Sequence, residues 1–211
     1  NGEEPQFTIR QRPVDGSGES ELLLKTPVDT KPTSVSPDGK WLVFTESSVG
    51  SNGNIWLLPL DEKGEPRVFL ETPFGEDSAV ISPDGNWLAY VSDESGRDEI
   101  YAMPFPGGGS RLQVSIEGGT APFWSPQGDE LFFQQPAGHM VATIDTERTT
   151  ATDLVVGRPR PLFEGEGREG LYLETVLSPT QDGRQFMITN FPKGSEPTTM
   201  RVVVNWFSEL R

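Results

Sequence analysis

The chain contains no cysteine, which removes disulfides, thiolate metal sites and cysteine nucleophiles together. Histidine is almost absent: His139 is the only one. A lone imidazole cannot build a clustered metal site, although it could act as a general base. Next to Met140 at the start of a strand, it is expected in a surface or turn role near a rim. No run of about 18 apolar residues occurs, so the sequence offers no segment for insertion into a membrane. Positive charge is scarce, with 17 Lys plus Arg against 32 Asp plus Glu and a net charge of -15. Such a surface repels phosphate backbones, which excludes nucleic acid as the main partner. Sustained helical periodicity with caps is missing as well, so little helix is expected.

Turn formers are abundant. Glycine (23) and proline (19) make up about a fifth of the 211 residues, as in a protein with many tight turns. Three of those turns nearly repeat: "SVSPDGKWLVFTES", "VISPDGNWLAYVSD" and "FWSPQGDELFFQQP", with a looser fourth, "SPTQDG". Aligned on Ser36, Ser82, Ser125 and Ser178, they recur at the period of a four-stranded propeller blade, about 40–45 residues. Proline presets φ at the second turn position, Asp tolerates the third, and Gly takes the left-handed conformation that closes the hairpin. The runs that follow are apolar at successive positions, which describes strands buried on both faces. Further strand-like runs complete each repeat, among them "NIWLLPL", "EIYAMPF", "HMVATID" and "MRVVVNWF". The expected fold is all-β: a β-propeller of four-stranded antiparallel blades, about four to five blade-equivalents in this chain.

The blades are expected at about 30–72, 76–116 and 119–165, with a partial blade at 6–26 and a last partial one at 171–207. This leaves 17 strands where five complete blades need about 20. A fragment of a larger propeller is expected, with a small ring closed by its termini as the other solution. The final strand, carrying Val202, Val203 and Val204, would be a sticky edge, covered either within the chain or by a second copy in a homodimer.

The motif "SPDG-x-W" followed by "[DN]-x-[IV]-[WY]" resembles the TolB-like propeller repeat, a relative of the WD-type blade. The stretch "GRDEIYAMPFPGGGSRLQVSIEGGTAPFWSPQGDELFF" and the closing "VVVNWFSELR" resemble propellers fused to bacterial serine/threonine protein kinases. The resemblance implies a non-catalytic sensor or interaction domain, placed outside the cytoplasm on the periplasmic side. It is silent on activity, because propellers host many functions.

No G-x-S-x-G elbow and no H-R-D or D-F-G motif is present, so no catalytic residue is assigned and no cofactor is expected. Gly165, Gly167 and Gly170 spell GxGxxG, but a strand-like segment follows where a phosphate site needs a helix N-terminus; the stretch reads as a loop. Trp41, Trp56, Trp87 and Trp124 read as wedges between blades, and Trp206 as a wedge or a docking residue. Asp93, Asp98 and Glu99, in an acidic hairpin, are weak candidates for a calcium site, although their spacing fits no known loop template.

Binding candidates follow from geometry. The start of each inner strand faces the central channel of a propeller, where ligands dock. Counting five residues back from each aligned Ser gives Lys31, Asp77 and Thr120; four back in the last blade gives Glu174. The expected partner is a protein, peptide or small ligand at this channel. The competing class is an enzyme's propeller, either a peptidase-gating domain or a channel-based hydrolase or lyase.

Overall fold

The structure is a computed structural model and describes residues 7–47, 53–61, 64–136, 138–162, 178–180 and 186–187. All regular structure among them is β. Strands β1 (Phe7–Gln11) and β2 (Glu21–Thr26) form an antiparallel pair. Three four-stranded antiparallel sheets follow. The first holds β3 (Asp29–Val35), β4 (Trp41–Ser47), β5 (Asn54–Pro59) and β6 (Arg67–Leu70). The second holds β7 (Glu76–Ile81), β8 (Trp87–Ser92), β9 (Glu99–Pro104) and β10 (Leu112–Gln113). The third holds β11 (Thr120–Trp124), β12 (Glu130–Gln135), β13 (Gly138–Thr143) and β14 (Arg160–Pro161). A two-residue pairing of β15 (Ser178–Pro179) with β16 (Phe186–Met187) ends the described part. Within each large sheet the strand order is the chain order, an up-and-down meander, and the first strands β3, β7 and β11 lie beside one another.

The repeated turn owes its shape to side chains that bond back to the backbone. In the first sheet the Ser36 hydroxyl donates to Asp38 Oδ1 at 2.6 Å and accepts the Trp41 N–H at 2.9 Å. Ser82 does the same with Asp84 (2.5 Å) and Trp87 (3.0 Å). Gly39, Gly85 and Gly128 sit at φ of 72°, 75° and 75°, where a β-carbon would be strained. The turns also tile: a β-carbon at Gly85 would lie 3.6 Å from Pro37, and one at Gly128 would lie 3.6 Å from Pro83.

The third turn, "SPQGDE", has Gln127 where the others have Asp. Its carboxylate comes from two residues later, Asp129, which accepts from the Ser125 hydroxyl at 2.6 Å. The same lock is thus made by a different residue.

Apolar runs fill the joints between sheets. Every residue of β8 is buried. Its Leu88 and Tyr90 pack with Val43, Ile55 and Leu57 of the first sheet. Trp87, Ala89 and Val91 pack the other way, with Trp124, Leu131 and Phe133 of the third. The alternation that sends side chains to opposite faces therefore has apolar partners on both. Trp87 and Trp124 act as wedges, and each indole N–H finds a carbonyl: Trp87 on Thr150 and Trp124 on Val80, both at 3.2 Å. Trp41 and Trp56 are only half-buried. Arg67 lies over the Trp41 ring at 4.8 Å, and Trp56 stacks with Phe44.

Two features depart from the sequence reading. His139 is buried in the third sheet, paired with Gln134, not on a surface, because the apolar residues flanking its strand carry it inside. The connection from β13 to β14 is a folded strap, closed by an Ile144–Val156 bridge. Its Ile144 and Leu154 join the core, and its Thr150 carbonyl takes the Trp87 N–H. Gly165, Gly167, Gly170, Glu174, Trp206 and the final valine strand lie outside the described residues.

Candidate binding site

Each first strand carries a bulge that ends two residues before the aligned Ser: Pro32/Ser34, Asp77/Val80 and Thr120/Phe123. In two of them the residue four before the aligned Ser adopts a left-handed backbone, Ser78 at φ 54° and Ala121 at φ 49°. A bulge interrupts the ladder and re-aims the backbone. Non-glycine residues held in this region store strain of a kind that clusters at binding sites.

Around these bulges open two adjoining concavities that share Ser78 and Ala121. The larger, about 500 Å³, is bounded by Asp77, Asp93, Asp98 and Thr120. The second, about 350 Å³, draws Lys31, Pro32 and Thr33 from β3 together with Phe123 and Gln134 from the third sheet. Phe123 supplies an apolar wall, stacked on Phe132 with ring centroids 4.9 Å apart.

The structure therefore brings Asp77 and Thr120 into one concavity and puts Lys31 in its neighbour. Asp93 and Asp98 join the first two. Glu99 does not: it is fully buried, its Oε1 accepts from Arg97 Nε (2.8 Å) and the Gly118 N–H (2.9 Å), and its Oε2 accepts from the Ser115 hydroxyl. With both oxygens engaged, Glu99 shapes the 115–119 connector that delivers Thr120 to the rim. Gly119 completes that connector, since a β-carbon there would come within 2.5 Å of Ser115 Oγ. Strand alternation was the available signal, because the first residue of β9 turns inward while Asp98 stays in the hairpin.

Two of the carboxylates, Asp77 and Asp93, are held by hydrogen bonds, and among the described residues no cation forms an ion pair with Asp77, Asp93 or Asp98. Asp77 Oδ1 accepts from Thr45 Oγ1 of the first sheet (3.1 Å) and from the Ser78 N–H (2.6 Å). Asp93 Oδ1 accepts the Gly75 N–H at 2.8 Å. The nearby arginines are engaged elsewhere: Arg97 on Glu99 and the Ile116 carbonyl, Arg111 on Glu94 at 2.9 Å. Among the described residues no three His, Asp or Glu side chains converge as metal ligands. What the concavity offers is a set of acceptors, two hydroxyls and a strained backbone. This suits a cationic group that also donates hydrogen bonds.

Meander sheets packed face to face, with their first strands lining a common hollow, define a β-propeller. The sequence matches the TolB beta propeller domain over residues 8–161, and the chain belongs to that family. Among solved structures it is similar to TolB from Acinetobacter baumannii, with TM-score 0.65 and 17% identity over 89% of this chain and 44% of that one. It is also similar to the periplasmic gluconolactonase of Pseudomonas aeruginosa, with TM-score 0.54 and 20% identity over 88% of this chain and 57% of that one. An oligogalacturonate lyase in complex with manganese gives TM-score 0.57 and 15% identity over 82% of this chain and 48% of that one. The chain thus spans about half the length of these structures. No curated protein matches it. At such identities the likeness is one of fold, shared by proteins named as enzymes and by TolB alike. No helix among the described residues is long and apolar enough to cross a membrane.

Proposed function

We propose that the chain is a non-catalytic binding module whose channel mouth receives a protein segment, peptide or small ligand bearing a positive group. The observation that carries this reading is that Asp77, Asp93 and Asp98 all line one concavity while the neighbouring arginines are committed elsewhere. Low dielectric in a cleft strengthens such attraction and concentrates cations there. Membership of the TolB family and likeness to a periplasmic enzyme support an extracytoplasmic location. The kinase-associated resemblance supports a role as the sensor or interaction part of a larger signalling protein. Pairing of two copies through their terminal blades belongs to the same proposal, and light scattering of the wild type and Val203→Lys tests it.

The enzyme reading rests on the named activities of similar propellers. Its weakness here is that the sole histidine is buried in the third sheet, opposite Gln134, and is not itself among the residues that bound either concavity.

Chemical-shift mapping with short lysine- and arginine-containing peptides tests the binding reading. The amides of Ser78, Thr120 and Ala121 should move, and the response should fade in Asp77→Asn/Asp98→Asn and with added salt. Shifts confined to the turn face, or unaffected by the double substitution, would overturn it.

A further inference from the structure

Glu76 opens β7 where the first and second sheets meet, and it is fully buried. Its Oε1 accepts from the Thr72 hydroxyl, whereas its Oε2 is buried with no hydrogen-bond partner among the described residues. Tyr90, equally buried on the next strand, directs its hydroxyl towards Arg111. Glu76 pairs with Ser92 across the ladder, so Tyr90, two residues along, shares its side of the sheet. That side packs on Ile55 and Leu57 of the first sheet. A half-satisfied carboxyl and a buried phenol thus occupy one joint.

The charges around Glu76 do not balance if it is ionised. It faces Arg111 from beside β10, and Asp93 and Glu94 from the β8–β9 hairpin. Arg111 already pairs with Glu94 at 2.9 Å, and Asp93 holds the Gly75 N–H. From the first sheet comes a backbone group, the Gly53 carbonyl, which accepts the Glu76 N–H at 3.3 Å. The adjacent Asp77 is turned to Thr45. Among the described residues, one cation therefore meets three carboxylates and is already paired with one of them. A buried carboxylate with a bare oxygen and no counter-charge is costly, whereas a proton on that oxygen removes the charge and makes it a donor. Burial pushes the Glu76 carboxyl above its ordinary range, against the pull of Thr72 and Arg111.

We propose that Glu76 is a proton-dependent latch between the first and second sheets: as the neutral acid it holds the joint closed, and as the carboxylate it loosens it. Gly75 and Asp77, its chain neighbours, both line the larger concavity, so the latch reports pH to the binding rim. Because the folded-state pKa lies above the unfolded one, the stability Glu76 contributes is present in full below the unfolded value. It is lost as pH rises through the folded value, with a tenfold fall in the folding equilibrium for each pH unit between the two.

Two measurements on this chain decide the matter. Thermal unfolding of the wild type and Glu76→Gln across a pH series should show a decline in the wild type, as pH rises above the usual carboxylate range, that the variant lacks. Carboxyl carbon titration of the wild type, with Glu76 assigned through its own amide, should give it a higher midpoint than the exposed glutamates. This second measurement stands even if the variant does not fold. Superimposable pH profiles for the two proteins, or a Glu76 carboxyl that titrates with the exposed glutamates, would overturn the latch.

Discussion

The two ends of the sheets differ in kind. At the turn end, three hairpins repeat one lock of serine hydroxyl, carboxylate and backbone N–H, with distances agreeing within a few tenths of an ångström. At the other end, the equivalent strand positions hold Lys31, Asp77 and Thr120, which share no chemistry, on bulged and partly left-handed backbone. Repetition at one end follows from a common packing problem solved the same way in each blade. Variation at the other end, on backbone held in place by that packing, is where a binding surface can be specified without disturbing the fold.

The largest effect is expected from breaking the repeated end at a wedge. Trp124→Ala empties a joint between the second and third sheets and removes the indole hydrogen bond to the Val80 carbonyl. Urea unfolding should show a loss of about 3–5 kcal/mol. A loss below about 1 kcal/mol, small even for ordinary core truncations, would mean that the joint is not what stabilises the sheets.

A smaller loss is expected from the lock itself. Ser82→Ala removes a buried hydroxyl that donates to Asp84 and accepts from the Trp87 N–H, at a cost of about 1–3 kcal/mol. Burial raises the Asp84 carboxyl, but hydrogen bonds from Ser82 and Asn86 outweigh it and leave the group below its ordinary value. A depressed folded pKa gives stability that is present above the unfolded pKa and lost as pH falls through the folded one. The variant should therefore lose less stability on acidification than the wild type. An unchanged acid limb would show that the Ser82 bond does not hold Asp84 low.

At the variable end the expectation reverses. Asp98 is exposed in its hairpin, and Asp98→Asn should alter stability by no more than about 0.5 kcal/mol while weakening capture of cationic peptides. A large stability loss would make Asp98 part of the scaffold and erase the contrast between the two ends.

How far the sequence discloses each end follows from the same physics. The turns and double-sided strands are legible because glycine geometry and period-2 packing leave few alternatives. The rim positions are legible as places, by counting back from the aligned serines, since each bulge ends two residues before its Ser. Their company is not: nothing local brings Asp93 and Asp98 of one hairpin beside Thr120 of the next sheet. The sequence pattern groups Glu99 with its acidic chain neighbours, whereas the structure makes it the first buried residue of β9, bound to Ser115 and Gly118. Asp129 shows the reverse case, a lock kept after its usual residue is replaced. The strap from Ile144 to Val156 is signalled only by extra length and by an apolar Leu154, because its anchor, the Trp87 N–H, lies 63 residues away in the chain.

The smallest effect tests whether the bulges are strained. Ala121 at φ 49° occupies a backbone region that costs an L-residue about 1–2 kcal/mol. Ala121→Gly removes that cost but adds about 0.4–1 kcal/mol of conformational freedom to the unfolded chain. The net result should be a gain of about 0–1.6 kcal/mol on these two terms, read by chemical unfolding. If the bulge is held in shape for a ligand, the same substitution should weaken peptide binding by loosening the mouth it frames. A variant that is stabilised yet binds less tightly would place stability and recognition in opposition at this residue. A variant destabilised by more than about 1 kcal/mol would show instead that the Ala121 methyl is needed for packing, and that its left-handed backbone is a by-product of the fold.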